Sequence, residues 1–150
     1  MTALESLVTK LERDYPDISF ERSDVARWSP LEQTIYYDNN PTNTIHELGH
    51  ALLGHSSFTQ DVELIRIERD AWEKAREIAG NYDITISDKI VEFAMDNYRE
   101  WLHKRSLCPK CSQVGVQSLK DLSYYCVNCG TKWQANDARS CGLKRTVIKH

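Results

Sequence analysis

The sequence predicts an α+β fold: a mostly helical body with a short β-sheet, followed by a small cysteine-bearing module. Three observations carry this. Apolar residues recur at helical spacing across most of the first hundred positions. Two short runs rich in β-branched and aromatic residues interrupt them. All five cysteines lie in the last third of the chain. With 150 residues there is room for one compact domain and a small appendage, and the expected division is 1–104 and 105–150.

Each element has its own signal. Residues 3–14 read as a helix, with Leu4, Leu7, Val8 and Leu11 at i, i+3, i+4 and i+7. Tyr15-Pro16-Asp17 ends it. Residues 18–21 suit a short strand, and residues 31–37 suit a second from their Ile-Tyr-Tyr content. Asp38-Asn39-Asn40-Pro41 is a turn. A helix is expected over Thr42–Leu53, capped by Asn43 or Thr44, with Glu47 completing a capping box and Gly54 as the stop. A longer helix should span Gln60–Ala79 and end at Gly80-Asn81. Ser87 can cap a third, running to about His103, with Ile90, Phe93, Ala94, Tyr98 and Trp101 on one face. Beyond Ser106 helical periodicity stops.

Hydrophobic residues make up 41% and charged residues 27%, the balance of a soluble globular protein. No run approaches the roughly 18 apolar residues of a membrane span. The N-terminus lacks the basic and apolar regions of a signal peptide. The expected location is therefore the cytoplasm, where thiols stay reduced and paired cysteines serve metals better than disulfides. Charge is uneven: residues 1–104 carry 11 basic and 20 acidic side chains, net −9, whereas residues 105–150 carry 8 and 2, net +6. Such a split suggests two units, one of which meets an acidic partner.

His46-Glu47-Leu48-Gly49-His50 matches H-E-x-x-H. On a helix its two histidines fall on one face and can reach one Zn²⁺, while the glutamate stands beside them as general base toward a water molecule. The competing reading is a chance pentapeptide on a surface helix. The apolar setting of Ile45, Leu48, Leu52 and Leu53 argues against it, because buried imidazoles need partners. Gly49 in mid-helix costs about 1 kcal/mol against Ala, which close approach by another element would explain. A catalytic zinc needs a third protein ligand. The metzincin spacing fails, since Leu53 and Ser56 stand where Gly and His are required. His55 is one position early and reads as a surface residue or a partner to a ligand. Glu68 falls inside an apolar stripe (Leu64, Ile65, Ala71, Trp72, Ala75, Ile78, Ala79), where a lone carboxylate is costly unless paired or metal-bound. It is the expected third ligand, with Asp70 as the alternative. Glu73 and Glu77 are assigned to the solvated face.

The run His46 to His55, followed by Glu68-Arg69-Asp70-Ala71-Trp72-Glu73-Lys74-Ala75, resembles the ImmA/IrrE family of metallopeptidases. That family pairs H-E-L-G-H-x-L-L-x-H with a downstream E-x-E-A-x-x-x-A. The resemblance covers about residues 1–80. It implies a gluzincin-like site with His46, His50 and Glu68 on zinc and Glu47 as base. It also implies cleavage of a repressor or regulator encoded by a mobile element or stress operon. Asp70 departs from the pattern, as does Trp72-Glu73-Lys74, and no helix-turn-helix segment is evident.

Cys108-Pro109-Lys110-Cys111 and Cys126-Val127-Asn128-Cys129 form two knuckles, and Gly130 after the second permits the positive φ such turns use. With short strands expected at 114–116, 122–125 and 131–133, the segment resembles a zinc ribbon. Four thiolates leave no open position, so this second zinc would be structural. Disulfides or free thiols are the competing readings. Lys110, Lys120, Lys132, Arg139, Lys144, Arg145 and Lys149, with Tyr124, Tyr125 and Trp133, suit either contact with nucleic acid or docking of a protein substrate or of the acidic body. Cys141 has no partner in the pattern and reads as a free thiol.

The expected function is a zinc metalloprotease with one catalytic and one structural zinc, acting on a regulatory protein recruited by the ribbon. Two rivals remain. A SprT-like protease of DNA-bound proteins would draw a third ligand from a downstream histidine, for which His55 and His103 are the candidates. A catalytically silent nucleic-acid-binding or adaptor protein would not need Glu47.

Overall fold

The computed structural model describes residues 2–138 and 141–149. It shows an α+β chain with four α-helices and two small sheets. The chain divides into two compact units. One comprises the chain up to Ser57 together with Ile67–Val91, and the other comprises Phe58–Arg66 together with the chain from Glu92 onward. No helix among the described residues is long and apolar enough to cross a membrane.

In the first unit, α1 spans Ala3–Asp14. Thr2 and Glu5 form a reciprocal capping box at its start, and Leu7, Val8 and Leu11 form its buried face. Three strands follow: β1 (Ser19–Arg22), β2 (Arg27–Ser29) and β3 (Thr34–Tyr37). β3 is central, parallel to β1 and antiparallel to β2, with Ile35 opposite both Phe20 and Trp28. The expected strand 31–37 is shorter than its composition suggests. Gln33 adopts a left-handed φ of 52°, which breaks the extended run and leaves Leu31 exposed.

Helix α2 covers Pro41–Leu53. Its cap is Asn40, not Asn43 or Thr44: the Asn40 side chain accepts from the Thr42 N–H at 2.9 Å, and Pro41 occupies the first helical position, where its missing N–H costs nothing. The helix ends at the expected Gly54. Helix α3 covers Asp61–Ala79 and runs into a 3₁₀ turn at Gly80–Tyr82. The first-unit part of α3 buries the expected stripe of Ala71, Trp72, Ala75, Ile78 and Ala79. Helix α4 covers Asp88–Ser106, with the Ser87 hydroxyl accepting from the Ile90 N–H. Its buried face is the expected one only in part. Trp101 is buried and Ala94 and Tyr98 are half-buried as expected, but Ile90 and Phe93 are exposed, and Met95 and Arg105 join Trp101 in the buried set.

In the second unit, β4 (Val116–Gln117), β5 (Tyr124–Tyr125), β6 (Lys132–Ala135) and β7 (Arg145–Val147) form an antiparallel sheet in that order. β7 lies in the basic C-terminal stretch, where no strand was expected. It pairs with β6 from Trp133↔Val147 to Ala135↔Arg145, an assignment the charged flanks concealed. The sheet's small core is Cys108, Tyr124, Cys126 and Trp133.

Candidate metal centres

The first centre begins with helical spacing. His46 and His50, one turn apart on α2, are both buried, as is Glu68 on α3. The approach of the two helices depends on Gly49. A Cβ there would lie 2.5 Å from the Ala71 carbonyl oxygen, so any side chain at 49 would drive α3 away from α2. Glu68 consequently reaches both rings. Its Oε2 lies 2.9 Å from His46 Nε2 and its Oε1 3.2 Å from His50 Nε2, while the two Nε2 atoms are 3.2 Å apart. The three expected ligands offer atoms that all lie within 4.8 Å of one another.

The electrostatics follow from burial and mutual contact. Glu68 is held down at about 2: burial opposes this, but hydrogen bonds from both histidines outweigh it. His50 is raised despite burial, because Glu68 bonds and attracts its charged form. The Glu47 carboxyl is raised by burial, countered in part by His46 and His50 and by a backbone hydrogen bond from Trp28. His55 is lowered, first by burial and then by His50.

The donor set suits a metal. Two imidazole nitrogens and one carboxylate oxygen converge, the combination that leaves a fourth place open on a tetrahedral ion such as Zn²⁺. His46 Nδ1 is buried without a hydrogen-bond partner among the described residues, and the ring is held by stacking on Trp72, with centroids 4.1 Å apart. Asp70 is half-exposed and lies 3.7 Å from Arg69, outside the convergent set. Glu73 and Glu77 are solvated as expected, and His103 is exposed. Sequence reasoning missed Trp28 and Trp72. Both look like ordinary core aromatics, and nothing in their spacing marks them as neighbours of the histidines.

The second centre joins the four predicted cysteines. Cys108 Sγ is 3.6 Å from Cys129 Sγ and Cys111 Sγ is 3.4 Å from Cys126 Sγ, all four within 4.8 Å of one another. The two knuckles repeat one backbone pattern. The Cys108 N–H donates to Gln113 and the Cys126 N–H to Thr131, while Ser112 and Gly130 donate back to Cys108 and Cys126. Ser112 and Gly130 both have positive φ, 64° and 77°. N–H groups and a hydroxyl facing the sulfurs favour the thiolate at Cys108, Cys111 and Cys129, while at Cys126, against the Cys129 backbone, burial and the neighbouring Cys111 and Cys129 thiols push the thiol up to about 11. Against the cost of burial, the Cys111 and Lys110 backbones lower Cys108, and the Thr131 hydroxyl and backbone lower Cys129.

No family model, curated protein or solved structure matches the chain. Its chemistry is therefore read from the two centres alone.

The expected aromatic platform for nucleic acid is not formed as the sequence suggested. Tyr124 and Trp133 are buried and stack on each other, with centroids 5.5 Å apart, and Trp133 donates its indole N–H to the Arg105 carbonyl. Tyr125 alone of the three is exposed. Lys110, Lys120, Lys144 and Lys149 are exposed, Lys132 lies 3.5 Å from Asp121, and Arg145 donates to the Leu107 carbonyl. Arg139 lies outside the described residues. Cys141 is exposed and unpaired with the four, as expected. Cavities of about 570 and 410 Å³ occur in the second unit, and neither is lined by His46, Glu47, His50 or Glu68.

Proposed function

We propose that the chain is a zinc-dependent endopeptidase that cleaves a specific regulatory protein, of the repressor type, with the cysteine module as a zinc ribbon that recruits it. The observation that carries this is the convergence of His46, His50 and Glu68 with Glu47 adjacent on the same helix. His46, His50 and Glu68 would hold the catalytic ion and Cys108, Cys111, Cys126 and Cys129 a structural one. When bound, the catalytic zinc would polarise the scissile carbonyl and acidify an attacking water.

The remaining chemistry belongs to the chain. Glu47 is partly buried and follows His46 directly on α2, which sets it beside the histidines. From there it takes a proton from the attacking water and delivers it to the leaving amide nitrogen. The Glu68 carboxylate reaches both histidine rings, so it serves as a ligand and leaves acid–base work to Glu47. The gluzincin-type assignment rests on a glutamate, not a third histidine, joining the pair. The same fact disfavours the SprT-like alternative. The ribbon's exposed lysines make recruitment of an acidic protein surface the favoured role, since two of its three aromatics are committed to the core.

The test is zinc content and cleavage of a repressor encoded beside this chain, for wild type, Glu47→Ala and Glu68→Ala. Wild type should hold two zincs. Glu47→Ala should keep both and lose cleavage, and undiminished cleavage would sink the mechanism. Glu68→Ala should lose one zinc, whereas full retention would move ligation to Asp70 or a histidine. DNA binding that weakens steeply with salt would instead assign the ribbon to nucleic acid.

A further inference from the structure

We propose that His55 is a positioning residue for His50, holding its ring so that Nε2 faces His46 and Glu68, and that Trp28 holds His55 in turn. This rests on the metal-site reading above. An imidazole that ligates through Nε2 carries its proton on Nδ1, and in a buried place that N–H needs an acceptor. His50 Nδ1 lies 3.0 Å from His55 Nδ1. His50 therefore donates and His55 accepts, which puts the His55 proton on Nε2.

An acceptor serves this purpose only if it is itself fixed, and His55 is fixed at both ends of its backbone. Its N–H donates to the His50 carbonyl at 3.1 Å, closing the end of α2. Its carbonyl accepts the Trp28 indole N–H at 3.1 Å. The two ligand histidines differ in this respect. His46 Nδ1 has no hydrogen-bond partner among the described residues and the ring is set by stacking on Trp72, so His46 is positioned by packing and His50 by a hydrogen bond. A surface histidine with no role would not be tied at ring, N–H and carbonyl together.

The experiment is a Zn²⁺ titration of metal-free full-length protein against a chromophoric chelator, with the four-cysteine site as internal control. His55→Ala should weaken zinc at the His46–His50–Glu68 site by about 10–100-fold and leave the cysteine site unchanged. His55→Asn, whose side-chain carbonyl can accept from His50, should recover most of that loss. Trp28→Phe, which keeps an aromatic ring and lacks only the indole N–H, should weaken the same site by less. Wild-type affinity in His55→Ala, or no advantage of Asn over Ala, overturns the proposal. Should His55→Ala fail to fold, Trp28→Phe decides: reduced affinity at that site alone supports the proposal, and unchanged affinity overturns it. Wild type that binds zinc only at the cysteines overturns the metal-site reading itself and this proposal with it, an outcome distinct from two bound zincs that ignore His55.

Discussion

At Gly49 two ordinary rules oppose each other. Alanine is the better helix former by about 1 kcal/mol, so Gly49→Ala would stabilise an exposed helix. Here the added methyl would meet the Ala71 carbonyl oxygen at 2.5 Å, and a backbone carbonyl cannot swing aside as a side-chain tip can. Overpacking of this kind costs about 1–3 kcal/mol. The expected outcome is a net loss in the urea midpoint together with loss of zinc from the His46 site, because separating α2 from α3 withdraws Glu68. A more stable variant with intact zinc would contradict the close-approach argument. Arg105 presents a second residue-scale case. It is buried and bonds Asp61 at 2.8 Å, while Tyr124 donates to the same carboxylate at 2.6 Å. Arg105→Ala strands a buried Asp61 and should cost about 3–5 kcal/mol. Tyr124→Phe leaves the ion pair intact and should cost about 1 kcal/mol for the lost hydrogen bond, and more only if the Trp133 stack is disturbed. Chemical unfolding of both variants checks the ordering.

At the scale of elements, a polar contact joins α1 and the turn after α3: Tyr82 donates to Asp14 Oδ2 at 2.6 Å. The Asp14 carboxyl is lowered from 3.8, chiefly by Tyr82 and then by Arg13. The Tyr82 phenol is raised from 10.0 by burial and then by Asp14. The depressed carboxyl contributes stability that is present above 3.8 and lost as pH falls through its lower folded value. The raised phenol contributes stability that is complete below 10.0 and lost as pH rises through its folded value. Wild type should therefore exceed Tyr82→Phe in urea midpoint across the neutral range, and the gap should shrink below about pH 4. A gap that stays constant down to pH 2.5 would remove the Asp14 link. The elements themselves were legible to different depths, for identifiable reasons. α1, α3 and the stripe around Glu68 follow from apolar spacing, which burial enforces. The cap of α2 was misassigned because Thr44 and Glu47 mimic a capping box, while Asn40 is the cap and Pro41 the first helical residue. The Ile90 and Phe93 face failed because apolar character alone does not say which side of a helix finds a partner. Ser112 occupies the same backbone position as Gly130, and the matching registers of the two knuckles contained that fact although serine hides it. β7 and the Trp28–His55 contact were not legible, since both depend on residues far apart in sequence, whereas His55 as a partner to a ligand was one of the two readings its position allowed.

For the whole molecule, the proposed zincs should differ in what their removal does. The first unit has an extensive apolar core, including Leu11, Ile35, Ile45, Leu48, Trp72, Ala75 and Ile78. Glu68→Ala takes away one ligand at the edge of that core. The sheet of the cysteine module has a core of four buried residues, two of them the cysteines Cys108 and Cys126. So small a core leaves metal binding as a main source of folding free energy, on the order of 10–16 kcal/mol in isolated zinc modules. Cys126→Ser should therefore abolish the near-ultraviolet signal of the Tyr124–Trp133 pair, besides lowering the zinc count from two to one. Glu68→Ala should lower the count equally while leaving that signal in place. A chelator added to wild type should reproduce the Cys126→Ser spectrum, and returning Zn²⁺ should restore it. If chelation released both zincs while the Tyr124–Trp133 signal persisted, the cysteine module would be folded by its packing alone, and the structural role proposed for its metal would be wrong.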